Sequence, residues 1–324
     1  MSKRNAIVKP VEKEMEAFNQ LYKKVLQGHS SDFQSMIDYV NEANGKRIRP
    51  LISLLTAKVC GETNQKTVDY AVVLELLHTA TLIHDDVVDD TKIRRGRPSA
   101  NARYDNRVAV LLGDYILSIA IVRAVMSQSL QILGIISNLA QNLAEGELSQ
   151  LISSDGKIIS EERYFDIIRK KTAVLLSSCS EMGALSVGAN KQTIENFRLF
   201  GEYLGICFQI RDDIFDYFEQ GDIGKPTGND IREGKVTLPL IHALHTAPKE
   251  EAAKMLKLIR ESNFTINNIQ LLINFAKEFK GIEYAETKMK NIRQQALALL
   301  DDFPETEAKK ALIELVDYVI ERRK

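Results

Sequence analysis

Four aspartates, Asp85, Asp86, Asp89 and Asp90, fall within six consecutive positions of LIHDDVVDDTKIRRGR, and Arg94, Arg95 and Arg97 follow at once. On a helix, residues i and i+4 lie one turn apart on one side, which sets Asp85 over Asp89 and Asp86 over Asp90. Like charges this close repel unless a cation joins them. Carboxylate oxygens suit a hard divalent ion such as magnesium, which keeps several waters and shares its ligands with substrate phosphates. Taken alone, the cluster is as well explained as a solvated acidic helix end. A second stretch, FQIRDDIFDYF, repeats the pattern with Asp212, Asp213 and Asp216, among Ile210, Ile214, Phe215 and Phe218, which call for burial. Two such clusters on apolar helices are hard to explain as solvated faces. Facing each other, they would hold metal ions around one polyanion, most obviously a diphosphate.

The basic residues fit the same chemistry. NGKRIRP places Lys46, Arg47 and Arg49 at a loop-to-helix start, where free backbone N–H groups and the helix dipole favour anions. Arg94 and Arg95 offer forked guanidinium hydrogen bonds to a second diphosphate that needs no metal. Any one of these cations, taken singly, is ordinary surface charge. His78 lies about two turns before Asp85, near the same face, and reads either as a core histidine or as a ligand of that second anion.

The elements that must carry these residues are helices. Apolar residues recur at helical spacing nearly everywhere, and strand alternation is nowhere sustained. The pattern predicts helices over about 8–27, 32–43, 48–60, 66–91, 105–126, 129–153, 160–188, 191–219, 236–247, 249–261, 266–280, 282–302 and 305–322. GDIGKPTGNDIREGK is the one long glycine-rich loop. No linker or fixed-period repeat divides the chain, so residues 1–324 are expected to form a single all-α domain. Lys plus Arg (43) nearly balances Asp plus Glu (44), which leaves no global field for nucleic acid. Three cysteines without metal-ligand spacing, Cys60, Cys179 and Cys207, are expected to be core thiols in a reducing compartment. The N-terminal residues hold no signal-peptide run. Val108–Met126 is strongly apolar but interrupted by Asp114 and Arg123, and reads as a fully buried helix rather than a membrane span. A soluble, cytoplasmic protein is expected.

The ordered set GKRIRP, ELLHTATLIHDDVVDD, RRGRPSAN, LLGDYIL, KTA, FQIRDDIFD and GKPTGNDIREGKVTLP resembles the trans-isoprenyl diphosphate synthases over most of the chain. The resemblance implies an antiparallel helical bundle of the isoprenoid synthase type around a deep central cavity, as a homodimer. It also implies an activity: head-to-tail condensation of isopentenyl diphosphate onto an allylic diphosphate primer, with about three magnesium ions per active site. By the same resemblance Asp85, Asp86 and Asp89, with Asp212 and Asp216, would hold magnesium. Arg94, Lys171 and Lys235 would contact the allylic diphosphate, with Lys225 in the loop closing over it. Lys46, Arg49, His78 and Arg95 would hold isopentenyl diphosphate, and Thr172 and Gln209 would line the reacting centre.

Product length is expected from Ala80 and Thr81, one turn before Asp85, where short-chain relatives carry an aromatic floor. Small side chains here leave the way open. The helix from about Lys66 to Asp90 is roughly 37 Å long, enough to accompany about eight isoprene units. HTATLIHDDVVDD looks most like octaprenyl and neighbouring long-chain synthases, which make quinone side chains, so the expected product is about C40. Met126, Ile132 and Ile136 are candidates for the floor, and transient membrane contact could serve product release. A shorter-chain farnesyl or geranylgeranyl synthase is the alternative. A class I terpene cyclase would normally mix Asn, Ser or Thr and Glu in its second motif. A silent regulatory subunit would tend to lack the aspartates, and a helical interaction protein would make both clusters coincidental.

Overall fold

The computed structural model describes residues 3–28, 30–42, 45–153, 160–218 and 228–321. Helices run over Glu12–Val25, Ser31–Glu42, Ile48–Cys60, Gln65–Val88, Asn106–Met126, Leu130–Ser153, Glu161–Ile168, Val174–Ser186, Lys191–Phe215, Leu238–Thr246, Lys249–Arg260, Ile266–Glu278, Gly281–Ala298 and Glu307–Glu321. One two-stranded ribbon is the only sheet among the described residues, so the fold is all-α. Contacts gather into two compact units. The first comprises residues 1–138, 178–198 and 302–314, and the second 139–177, 199–301 and 315–324.

In the first unit, Gln65–Val88 opens with a capping box: the Asn64 side chain accepts from the Lys66 and Thr67 N–H groups, and Thr67 Oγ1 accepts from Asn64 N–H. Val68, Ala71, Val72, Leu74, Leu76 and Leu77 are all buried, because this helix packs against Glu12–Val25, Ile48–Cys60 and Asn106–Met126. Each fully buried aliphatic side chain contributes about 1.5–3 kcal/mol. That anchors a helix whose C-terminal end carries like charges. The helix stops at Val88 rather than near residue 91, because Asp90 turns to a left-handed φ of 48°. The expected stacking of Asp86 over Asp90 is therefore absent, and Asp90 pairs with Lys92 at 2.5 Å. Next comes a tight hairpin. Ile93–Arg94 pairs antiparallel with Arg97–Pro98, and Arg95 (φ 53°) and Gly96 (φ 77°) form a turn of the kind that needs positive φ at both central positions.

Asn106–Met126 corrects a second expectation. Ala109, Leu112, Ile116, Ala120 and Ala124 are buried, with the helix packed chiefly on Gln65–Val88, but Leu111 (68%), Val122 (57%), Val125 (55%) and Met126 (72%) are exposed. It is buried on one face only. Among the described helices it alone is long and apolar enough to cross a membrane, by length and composition. The two charges that interrupt its apolar run are engaged: Arg123 pairs with Asp69, and Asp114 lies 3.2 Å from His84 Nε2.

In the second unit, Leu238–Thr246 lies against Lys249–Arg260, Ile266–Glu278, Gly281–Ala298 and Glu161–Ile168. Its Leu238, Leu240 and Ile241 join Ile206, Ile210 and Ile214 of Lys191–Phe215 in one apolar core. Phe218, expected inside, is exposed, with Lys277 Nζ 5.4 Å from its ring centroid. The segment expected as one helix over 160–188 is interrupted by a π-helical turn at Arg169–Ala173. Such turns re-aim side chains and gather at functional sites, and this one carries Lys171 and Thr172. Gly205 lets the second aspartate helix approach it, since a Cβ there would lie 2.5 Å from Ala173 Cα. The three cysteines are free thiols, Cys179 and Cys207 buried and Cys60 half-buried, and burial pushes each up to about 12.

Candidate active site

The first unit gathers its basic residues around His78. A pocket there is lined by Tyr22, Arg47, Glu75, His78, Thr79, Asp86, Arg94, Arg95 and Arg97, among others. The helix period brings Glu75, His78, Thr79, Leu82 and Asp86 to it, and the hairpin delivers Arg94 and Arg95. Arg47, at a left-handed φ of 48° just before Ile48–Cys60, sets its Nη1 2.7 Å from Glu75 Oε1 and its guanidinium carbon 4.4 Å from the centre of the Tyr22 ring. Burial, then the charges of Arg49, Arg95, Arg94 and Arg47, hold the His78 pKa well below its ordinary value, so the imidazole is neutral. Two buried polar atoms, Glu75 Oε2 and Arg49 Nε, have no hydrogen-bond partner. Arg49 Nε, an orphaned donor beside so many guanidiniums, suits an anionic occupant, whereas Glu75 Oε2 is an acceptor that an anion would not satisfy. Of the residues expected to hold isopentenyl diphosphate, His78 and Arg95 line this pocket and Arg49 acts on His78 by its charge. Lys46 is exposed and is not among the lining residues.

The aspartates expected to hold metal differ in setting. Asp86 is buried, and its Oδ1 accepts from Arg94 Nε and Nη2, each at 2.6 Å. Asp85 is half-buried. Asp89 closes the helix exposed, its N–H still bonded to the Asp85 carbonyl at 2.8 Å. Arg94, expected on the allylic diphosphate, is thus forked onto a carboxylate expected on the metal.

The second unit's pocket is lined by Tyr164, Lys171, Thr172, Gln209, Asp213, Asp230 and Lys235, with Gln150, Ser160 and Arg163. Thr172 Oγ1 donates to Gln209 Oε1 at 2.7 Å, and Gln209 Nε2 donates to Asp213 Oδ1 at 2.8 Å. Lys171 Nζ lies 2.8 Å from Glu147, and Lys235 Nζ lies 2.6 Å from Glu233. Asp216 Oδ1 and Oδ2 accept the backbone N–H groups of Asn229 and Asp230 at 2.9 and 3.0 Å, tying the loop that carries Lys235 to the second aspartate helix. Asp213, Asp216 and Asp230 are all raised from the ordinary aspartate value, first by burial. For Asp213 and Asp230 the next cause is a neighbouring carboxylate. Such a group is short of positive charge. Lys225 lies outside the described residues, as do the rest of residues 219–227.

The sequence matches the polyprenyl synthetase family over residues 30–275. The chain belongs to this family. It is similar to the octaprenyl diphosphate synthase of Haemophilus influenzae, 36% identical over 285 residues that cover 88% of this chain and 86% of that one. Its fold is similar to the crystal structure of a polyprenyl synthase from Caulobacter crescentus complexed with calcium and isoprenyl diphosphate (TM-score 0.90, 32% identity, 99% and 98% coverage). It is also similar to a geranylgeranyl pyrophosphate synthase from Bacteroides thetaiotaomicron (TM-score 0.86, 40% identity, 99% and 100% coverage). The chain is accordingly an enzyme, a trans-prenyltransferase of the polyprenyl diphosphate synthase type.

Against this family background, several site residues carry no role in the sequence reading. Glu75 is a charge three places before His78 in an apolar run, a signal that was there to be read. Asp230 sits within the quoted loop motif. Nothing in the sequence marks Tyr22, Tyr164 or Glu147. Ala80 is 1% exposed and Thr81 is half-buried, its hydroxyl donating to the His78 carbonyl at 2.9 Å. Ile132 and Ile136 are buried, whereas Met126 lies exposed.

Proposed function

We propose that this enzyme condenses isopentenyl diphosphate head-to-tail onto an allylic diphosphate, with magnesium, to give an all-trans polyprenyl diphosphate of about C40 for quinone side chains. The observation that carries the reading is the cluster of Arg47, Arg49, Arg94 and Arg95 around neutral His78. It favours a second diphosphate site, which a terpene cyclase would not need.

The donor set fits magnesium. Asp85, Asp86 and Asp89 would hold it, and so would Asp212 with Asp216 nearby, through hard carboxylate oxygens. Among the described residues no three His, Cys, Asp or Glu side chains form a ready metal cage. That suits an ion that keeps its waters and takes diphosphate oxygens as ligands. When bound, such ions neutralise charge on a departing diphosphate.

The chain's own residues supply the rest. Lys171, Lys235 and Arg94 stabilise the same developing charge as the allylic C–O bond breaks, leaving an allylic cation and diphosphate. Arg49, Arg95, His78 and Lys46 hold isopentenyl diphosphate so that its double bond attacks the cation. By the family resemblance Lys225 would contact the allylic diphosphate as well, and water must be kept from the cation. The new bond leaves a tertiary cation that loses a proton to the departed diphosphate, giving the extended allylic product.

The boundaries at 138/139, 177/178, 198/199 and 314/315 fall inside helices and only the one at 301/302 in a turn, which supports a single functional domain. We place the enzyme in the cytoplasm as a homodimer. A C20 product is the second reading, favoured by the 40% identity to the geranylgeranyl pyrophosphate synthase of B. thetaiotaomicron. The small, half-buried Thr81 favours the longer one.

The test is incubation with isopentenyl diphosphate, an allylic primer and magnesium, with and without chelator, followed by chromatography of dephosphorylated products. No product, or product undiminished by chelator, would defeat the reading. Thr81→Tyr, at the partly exposed position, should shorten the product to about C15–C20, whereas a large ring at buried Ala80 would first have to displace packed neighbours. Unchanged length would remove Thr81 from the channel.

A further inference from the structure

The hairpin of Ile93–Arg94 and Arg97–Pro98 has two residue pairs, and a ribbon that short is marginally stable on its own. Where Arg95 points depends on what holds the ribbon from outside. Ser99 N–H bonds the Lys92 carbonyl at 3.0 Å, so the next pair, Ile93 with Pro98, is a non-hydrogen-bonded one and turns the Pro98 carbonyl away from the partner strand. Tyr39, on Ser31–Glu42, meets that carbonyl: its hydroxyl donates to Pro98 O at 2.7 Å. The guanidinium carbons of Arg97 and Arg103 lie 4.6 and 4.3 Å from the centre of the same ring, and Arg97 Nη2 reaches Glu42 Oε2 at 3.1 Å. The helix that carries Tyr39 has its own anchors in buried Ile37 and in Phe33, which packs edge-on against Tyr115 with ring centres 4.6 Å apart. At the base of the ribbon, the Ser99 hydroxyl donates to the Thr91 carbonyl at 2.5 Å, so Tyr39 takes hold nearer the turn than Ser99 does.

The turn needs such a hold, because Arg95 is set among like charges. Burial, then the charges of Arg94 and Arg47, keep its pKa below the ordinary value against the pull of Glu75. That repulsion pushes the turn outward. The Arg95 guanidinium nevertheless lies close over Gly45, where a Cβ would come within 2.7 Å of Nη2 and 2.8 Å of Nη1, and so rests against the segment that leads into Arg47. Arg94 has a separate anchor in Asp86, whereas Arg95 sits one residue further out, on the turn itself. We propose that Tyr39 is a positioning residue: it grips the outer strand of the hairpin through the Pro98 carbonyl and the Arg97 guanidinium, and so keeps Arg95 turned into the pocket where isopentenyl diphosphate would bind. The inference rests on the prenyl-condensation reading and adds to it a residue outside the metal and diphosphate ligands. Tyr39 also lines that pocket, so direct contact with the substrate is the rival role.

The experiment is a double-mutant cycle of Tyr39→Ala and Arg95→Ala, read as calorimetric affinity for isopentenyl diphosphate, KM for each substrate, kcat and melting temperature. Tyr39→Ala is expected to weaken isopentenyl diphosphate roughly tenfold, the worth of the hydrogen bond and the ring contacts together. The allylic KM should stay within about twofold, because Asp86 still holds Arg94. Tyr39→Phe keeps the ring beside Arg97 and loses only the solvent-exposed bond to Pro98, so about threefold is expected. In the Arg95→Ala background Tyr39→Ala should cost isopentenyl diphosphate nothing further, since the guanidinium it positions is gone. Multiplicative losses would make Tyr39 a direct substrate contact, and equal weakening of both substrates would make it a general structural support; either overturns the proposal. A lower melting temperature with affinity unchanged overturns it too. Should Tyr39→Ala not fold, Tyr39→Phe carries the same cycle. A wild-type chain that neither binds nor condenses isopentenyl diphosphate would overturn this inference together with the proposed function. An active wild type whose affinity Tyr39→Ala leaves unchanged overturns this inference alone.

Discussion

A neutral histidine among arginines has a definite pH signature. Burial and four neighbouring guanidiniums lower the folded-state pKa of His78 below the unfolded value of about 6.5, so below that pH the unfolded chain binds a proton that the folded chain does not. The stability that goes with the neutral ring is present above the unfolded pKa and is lost as pH falls beneath it. Asp213 and Asp230, whose pKa values are raised, act in the opposite sense, so the informative quantity is a difference between proteins. Melting temperature should fall more between about pH 7 and pH 5.5 in the wild type than in His78→Gln; equal slopes would mean that the ring is charged in the fold. At the same pocket, Arg95→Ala should weaken isopentenyl diphosphate by about 1.5–3 kcal/mol and the allylic primer much less, as measured by KM for each. Equal weakening would show the two anion sites to be wrongly divided. Asp85→Ala should abolish condensation while far-ultraviolet circular dichroism stays helical, since the half-buried carboxylate is needed for charge and not for packing. Near-normal turnover would exclude it from metal binding.

The hairpin after the first aspartate helix shows how one element sets the site. Gly96 has a φ of 77°, and a Cβ there would meet nothing within 4 Å, so conformation alone decides what the position accepts. Gly96→Val should cost about 1–3 kcal/mol and raise KM for isopentenyl diphosphate, because Arg94 and Arg95 ride on the turn. Gly96→Asn, which enters the left-handed region more readily, should be far milder; equal effects would point to a side-chain clash instead. The same turn marks where sequence reading reached its limit. Helical periodicity revealed Gln65–Val88 and Lys191–Phe215 and the aspartates they carry, because burial of an apolar face writes itself into residue spacing. It overran the first helix, because the stop is a backbone choice at Asp90 with no proline or glycine to announce it. The π turn at Arg169–Ala173 stayed hidden, since RKKTA is compatible with an ordinary helix and only the surrounding packing shifts its register. Arg94, Arg95, Lys171 and Thr172 were thus legible as residues, while their geometry was not.

The exposed face of Asn106–Met126 belongs to the scale of the whole molecule. Leu111, Ile121, Val122, Val125 and Met126 recur at helical spacing on the side away from the Gln65–Val88 contact, and a monomer seldom leaves such a stripe to water. Apolar spacing alone does not say whether the covering partner is the same chain, a second copy or lipid. Asp114 helps to choose. Its side chain is 59% exposed on the same stretch of helix, and in hydrocarbon a carboxylate at that depth would cost about 2.5–3.5 kcal/mol. Against a second copy it can keep its partner His84, 3.2 Å away, and reach water at the rim. A two-fold pair would also meet the same stripe twice, which makes the contact self-complementary. The wild type should therefore sediment as a dimer at micromolar concentration, and Leu111→Lys with Val122→Lys should sediment as a monomer whose helicity is unchanged. Monomeric wild type that floats with anionic vesicles would transfer this face to the membrane, and monomeric wild type that ignores vesicles would leave the homodimer without support.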